Sequence, residues 1–394
     1  MNWRVFILAG AAFAVGLVEL VVGGILPSIA DDLHISLAKA GQLITVFAFV
    51  YAISAPVLLS ITAKIERKRL YLIALFIFTL GNIATYFSTT FLFVMIARVI
   101  TSMSTALIIV LSLTITSKIV EPKHRAKALS IIFAGLSSSL VIGVPIGIFI
   151  TDLFGWRAVF LGIAILSSLS MILIYTLLEQ MPVEKVIPLK TQLKSLRKPK
   201  IYFAHLITLF MLAGHYTLYA YLTPFLIETY EMDSYWISIC YVMIGVASIF
   251  GNTVGGWLSD WIGSSKAILF VTSSFAVILF LIPYTTDFFP LFLFCIILWG
   301  GLSWALTPPL QSFLIQIAPE TSDIQQSLNT SALQIGISIG SGVGATVVTA
   351  TGSVMNLASV GAVLVLISLG CAIISIKKAS LSEDSLDNDS LIKN

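Results

Sequence analysis

Two charged side chains stand inside long apolar runs, and they are the residues of this chain best placed to do chemistry. Glu19 lies in "VGLVELVVGG", with no other polar side chain between Val5 and Pro27. Arg98 lies in "FLFVMIARVITSMSTA". An ionised carboxylate in hydrocarbon costs about 2.5–3.5 kcal/mol even on the lenient insertion scale for Asp. Protonation removes most of that cost, so a proton gradient can load and unload such a group. A guanidinium cannot be neutralised; it must pair, face water or bond backbone carbonyls. Two readings stay open for each residue. Glu19 is either a proton carrier or a structural acid permanently paired with a base or a helix end. Arg98 is either its coupling partner or a structural charge.

A third feature is the run Gly143, Pro145, Gly147. Small residues four apart let two helices approach closely, and proline bends its own helix. The run therefore reads as a packing and gating element rather than a cargo contact.

The surroundings explain why lone charges matter. The 394 residues are 58% hydrophobic and 10% charged, against roughly 25% charged in soluble globular chains. A soluble protein of this size would have too few charges for its surface. The net charge of +3 is too small to suggest a nucleic-acid partner. Cys240, Cys295 and Cys371 form no CxxC pair and no His/Cys cluster, so neither a disulfide framework nor a zinc site is expected. No paired-acid, Ser/His/Asp or metal-ligand grouping suggests an enzyme or a cofactor.

A helix needs about 20 mostly apolar residues to cross a bilayer. Such stretches lie near 4–26, 40–62, 70–88, 91–117, 126–150, 157–178, 202–226, 235–257, 266–285, 288–314, 325–350 and 354–376. The first resembles a signal peptide but lacks a cleavage site, and it is expected to remain as the first span. Of the 22 Lys and Arg, all but Lys39, Arg98 and Arg157 fall on the side of the termini. The positive-inside rule makes that side cytoplasmic. The basic cluster "ITAKIERKRL" is then the cytoplasmic loop between spans two and three. The loop 121–130 with His124 reads as topology and headgroup contact, and Glu228, Glu231 and Asp233 as a solvated loop.

The expectation is an all-α membrane protein: twelve transmembrane helices in two pseudo-symmetric six-helix bundles. Residues 1–178 form the first bundle, 179–201 a cytoplasmic central loop, 202–376 the second bundle and 377–394 a disordered cytoplasmic tail. Sliding the chain by 197 residues, half its length, lays Asp260 on Ala63, Gly263 on Glu66 and Lys266 on Arg69. The same shift pairs Gly143 with Gly340, Gly147 with Gly344 and Gly155 with Gly352.

"GGWLSDWIGSSK" from Gly255, containing Gly256, Asp260 and Gly263, resembles the GxLxDxxGxxK/R signature of the major facilitator superfamily. "ARVITSMSTA" is similar to its fourth-span motif, with Ser102 where Gly is usual. "GVPIGIFITDLFGWRAVF" resembles the fifth-span motif of its proton-coupled exporters, within the drug:H+ antiporter-like branch. "TAKIERKRLYLIALFIF", "AGHYTLYAYLTPFL" and "SDIQQSLNTSALQIG" resemble its bacterial purine base and nucleoside efflux pumps. That resemblance implies export of hypoxanthine, adenine, guanine or related nucleosides, driven by proton entry across the cell membrane. It also implies a cavity lined by spans one and four, where Glu19 and Arg98 can interact. The two-bundle design works as a monomer.

A purine suits aromatic stacking plus amide or hydroxyl partners. His215, Tyr216 and Tyr219 in the seventh span, Trp299 and Trp304 in the tenth, and Asn329 and Gln334 in the eleventh supply them. Tyr221 reads as an interfacial anchor. Gln42 and Asn82 serve equally well to bond neighbouring helices. In the basic loop Ala63 replaces the acidic residue of the signature, and Glu66, beside Arg67, is placed to take over a locking role. The competing function is export of other small molecules, such as drugs or sugars. A membrane sensor is the alternative from a different class, and no appended soluble domain supports it.

Overall fold

The computed structural model describes residues 3–121, 124–181 and 189–392. Lys123, Lys185, Lys393 and residues 182–188 of the expected central loop lie outside them. Among the described residues there is no strand. Hydrocarbon offers no water to backbone groups, and a helix satisfies all of them internally. Twelve helices among the described residues are long and apolar enough to cross a membrane. In order they are Arg4–Gly24, Leu37–Ile61, Arg67–Tyr86, Phe91–Ile119, Lys127–Phe154, Trp156–Leu177, Pro199–Tyr219, Ser234–Ile262, Ser264–Tyr284, Phe289–Ile317, Ile324–Thr351 and Leu357–Leu381. They are called spans one to twelve below.

Local chemistry sets the ends. Ser36 and Thr90 accept from the N–H groups of Lys39 and Phe93 and so cap spans two and four. The seventh span stops at Tyr219, and a short helix, Leu222–Tyr230, follows with Pro224 in its first turn. Span five widens to a π-turn at Ser139–Gly143 just ahead of Pro145. The proline ring would crowd the carbonyl of residue 141, and the wider turn relieves that clash.

The twelfth helix continues to Ile392, through the tail expected to lack order. Residues 377–392 contain neither Gly nor Pro, and extending a formed helix adds one hydrogen bond per residue without new nucleation.

The chain divides into two compact units that do not follow chain order. The first comprises Met1–Val186, Leu218–Val246 and Ser341–Met355; the second comprises Ile187–Thr217, Ala247–Gly340 and Asn356–Asn394. The first therefore holds spans one to six together with the ends of spans seven, eight and eleven remote from the termini. Close approaches explain the grouping. A Cβ on Gly41 would strike the Tyr221 ring, and one on Gly245 would lie 2.8 Å from the Val141 backbone.

Span five lies tightly on span one: side chains added at Gly143 and Gly147 would collide with Leu17 and Val21, and one at Gly135 with the Ala9 carbonyl. At the remote end Arg157 donates to Asp32 (2.6 Å) and to the Ser88 carbonyl (2.7 Å). Its guanidinium stacks 4.4 Å from the Trp156 ring, whose N–H also reaches Asp32. In the second unit, Gly336 and Gly340 of span eleven face the Leu209 and Ala213 carbonyls of span seven, and Gly255 of span eight faces the Ala305 carbonyl.

The internal repeat shows in this packing. Gly143 and Gly340, which the 197-residue shift superposes, each press a small face onto the leading span of their own half. Gly155 and Gly352, another such pair, both take positive φ (80° and 69°) where one span ends, a conformation that suits residues without Cβ.

Candidate functional site

The site is assembled by two helical stripes. Phe47 and Tyr51 are one turn apart on span two, and Arg98 and Ser102 are one turn apart on span four, so each pair shares a face. The stripes interlock. The Ser102 hydroxyl donates to the Phe47 carbonyl (2.5 Å), and the Arg98 guanidinium lies 4.1 Å from the Phe47 ring centroid. Ser102, where the family motif favours glycine, thus ties two spans together.

Arg98 is 1% exposed. Its Nη1 donates to the Val18 carbonyl at 2.6 Å, one residue before Glu19. Its Nε and Nη2 are buried without a hydrogen-bond partner among the described residues. Glu19, half-buried on span one, directly follows the residue whose carbonyl Arg98 engages. A buried guanidinium is tolerable when oriented acceptors surround it; here the Val18 carbonyl and the Phe47 ring face are its partners. Spans one and four are also the most enclosed of the twelve, with 67% of their apolar windows inside the protein. The arrangement puts the Arg98 guanidinium against the backbone of span one immediately before Glu19. Phe47 and Tyr51 carry no signal in sequence beyond their four-residue spacing.

The other expected residues are dispersed. His215 is buried within the second unit, its ring 4.7 Å from Trp299 and 6.0 Å from Phe275, with the half-buried Tyr216 edge-on at 5.3 Å. Tyr219 falls in the first unit, edge-on to Tyr241, so the turn of helix it shares with His215 does not put the two rings in one unit. Asn82 is fully buried and donates to the Phe78 carbonyl of its own helix (2.8 Å). Gln334 is buried, Asn329 half-buried, and Gln42 and Trp304 exposed. Tyr221 differs from the expected interfacial anchor: it is fully buried, donates to the Ser341 carbonyl (3.3 Å) and fills the space above Gly41. Ser341 also meets the Thr45 hydroxyl at 2.8 Å.

A polar cluster in the second unit has no counterpart in the sequence reading. His205 Nε2 lies 3.0 Å from the Gln325 side-chain oxygen, and the Thr208 hydroxyl donates to Asn329 (2.6 Å). The partners are 120 and 121 residues apart, and an isolated His gives no spacing to read.

In the basic loop, Glu66 caps the third span by accepting from the N–H groups of Lys68 and Arg69 (both 2.8 Å). It also accepts from Met181 N–H at 2.6 Å. Lys68 donates to the carbonyls of Tyr175 and Leu178 at the end of span six, and Arg67 is buried. The contacts of Glu66 all lie within the first unit and anchor the root of the central loop. Gly263 occupies the equivalent cap with φ 87°, Gly256 has ordinary room around it, and Asp260 is exposed.

The family description Major Facilitator Superfamily matches residues 8–341. The chain belongs to the major facilitator superfamily. This facilitator is 34% identical over 368 residues to the uncharacterized MFS-type transporter YbcL of Bacillus subtilis (strain 168), covering 93% of this chain and 94% of that one. It is 29% identical to the inner membrane transport protein YdhP of Escherichia coli (strain K12), over 89% and 90% of the two chains. Its fold matches a crystal structure of a bacterial homolog of the human lysosomal transporter Spinster, inward-facing and occupied, with TM-score 0.75 at 14% identity over 96% and 98% of the chains. The facilitator is thus a multi-pass membrane transporter of small molecules and not an enzyme.

Proposed function

We propose that this facilitator exports purine bases and/or nucleosides, such as hypoxanthine, adenine and guanine, in exchange for entering protons. It does so by alternating access in the cell membrane, with both termini cytoplasmic. The observation that supports the proton part is geometric: Arg98 donates to the carbonyl of Val18, the residue before Glu19 (2.6 Å), and its Nε and Nη2 have no hydrogen-bond partner among the described residues. With Glu19 ionised, the two charges attract. When Glu19 takes a proton the attraction lapses, and Arg98, held by Val18 and Phe47, presents its spare donors to another acceptor. A purine rim carries such acceptors in its ring nitrogens and exocyclic oxygen. Proton and cargo then occupy the site in turn, which is the requirement for exchange. The cargo itself rests on the resemblance of three sequence stretches to purine efflux pumps.

Export of other small molecules, drugs or sugars, through the same Glu19 exchange is the competing reading. Burial of His215, Tyr219, Asn82 and Gln334 inside their units favours it, because those side chains were the expected stacking and amide partners of a purine.

Inverted vesicles separate the two. Labelled hypoxanthine should accumulate only under an imposed proton gradient, and Glu19→Gln should abolish that dependence. Absence of gradient-driven uptake for every purine tested would overturn the cargo. Equal gradient-driven uptake by Glu19→Gln and wild type would remove Glu19 from coupling. Competition by unrelated drugs below the effective purine concentrations would establish the other reading.

A further inference from the structure

A groove runs between spans three and six at the end of the molecule that bears the termini. It is lined by Leu72, Ile73 and Phe76 on one wall and Met171, Ile172 and Tyr175 on the other, with Arg69 among its lining residues. It encloses about 880 Å³ including its open mouth. Phe76, Ile172 and Tyr175 are all more than half exposed, so these walls face the surroundings of the transmembrane region rather than the protein core. From Arg69 to Phe76 the third span advances about 10 Å at 1.5 Å per residue. That depth is most of one leaflet's share of a hydrocarbon core about 30 Å thick.

The charges at the mouth select what fits. Lys68 is engaged by the carbonyls that end span six, Arg67 is buried, and Glu66 is engaged by three backbone N–H groups. Arg69 is exposed, and its side chain has no hydrogen bond to any described residue. A strongly apolar slot with one available guanidinium at the depth of the headgroups matches a molecule with an alkyl chain and a phosphate. Guanidinium binds phosphate oxygens in a bidentate fork.

We propose that this groove is a binding site for one anionic phospholipid of the leaflet on the terminal side, with an acyl chain between spans three and six and its phosphate on Arg69. The site is separate from the Glu19–Arg98 centre and does not depend on what cargo is carried.

The test uses the purified full chain in vesicles of equal parts phosphatidylglycerol and phosphatidylcholine, with native mass spectrometry of the lipid retained on gentle extraction. Wild type should keep phosphatidylglycerol in preference to phosphatidylcholine. Arg69→Gln should lower that preference about fivefold, the factor equivalent to the ~1 kcal/mol that one basic side chain contributes near an anionic surface. Arg69→Lys should restore part of it, and Ile73→Trp, which fills the slot, should reduce retention of both lipids. Lys266→Gln, in the first turn of span nine at another cytoplasm-facing helix end of the proposed topology, should leave the preference unchanged. The proposal is overturned if wild type shows no preference, if Arg69→Gln retains it in full, or if Lys266→Gln abolishes it equally.

Discussion

At the scale of single residues, Arg98 and Glu66 differ in how their charge is satisfied. Arg98 is held by a carbonyl and a ring face, so geometry matters as much as charge. Arg98→Lys keeps the charge but loses the planar stack on Phe47. It should lower thermal stability in detergent by about 0.5–2 kcal/mol and slow initial transport rates in vesicles. Glu66 sits at a helix start outside the spans. Burial alone would raise its carboxyl, but the N–H groups of Met181, Arg69 and Lys68, with the Lys68 charge, hold it below the ordinary carboxylate range. Its folded value is therefore below its unfolded one. The stability it adds is complete above the ordinary range and disappears as pH falls through the lowered value. Glu66→Gln should cost about 1 kcal/mol at neutral pH, the scale of a lost helix cap. Melting curves of variant and wild type should converge in acid.

At the scale of elements, two kinds of glycine are distinguished by what surrounds them. Gly143 faces the far end of a Leu17 side chain, which can rotate away, whereas Gly255 faces the Ala305 backbone, which cannot. Gly255→Ala should therefore destabilise by about 1–3 kcal/mol and Gly143→Ala by distinctly less, as read from thermal unfolding in detergent. The twelve spans were legible in sequence because a bilayer demands long apolar runs, and nothing else in this chain produces them. Glu19 and Arg98 were legible because charge is rare in such runs. The close approach of Gly255 was not, since the family signature draws attention to Gly256 and Gly263, and no pattern reveals which carbonyl a glycine will meet. Tyr51, Phe47 and His205 escaped for a related reason: an aromatic ring in an apolar helix looks the same whether it holds an arginine or faces lipid.

At the scale of the molecule, the first compact unit joins the remote ends of spans one and two to those of spans seven and eleven. Thr223 donates to the Gly24 carbonyl (3.1 Å) and accepts from the Tyr241 hydroxyl (3.1 Å), while Thr45 meets Ser341 at 2.8 Å. A carrier that alternates must break these contacts in every cycle. Cysteines placed together at Thr45 and Ser341 should therefore form a disulfide under mild oxidation and arrest transport, with activity restored by reductant. The native Cys240, Cys295 and Cys371 are all buried and should not interfere. Crosslinking without loss of transport would show that this contact does not open. The compact units cut across the sequence halves because these contacts link residues about 200 to 300 positions apart, which no local pattern records.

Order of synthesis gives the Arg157 clamp a further consequence. Asp32, Ser88, Trp156 and Arg157, and likewise Glu66 with Met181, are all synthesised before span seven. Chains emerge from the N-terminus at about 5–20 residues per second, so these fastenings have seconds in which to form. Gly24, Gly41 and Thr45 must wait for residues 221 to 341. The contacts laid down first join neighbouring stretches of the first six spans, and the last to arrive tie those spans to the far ends of spans seven and eleven.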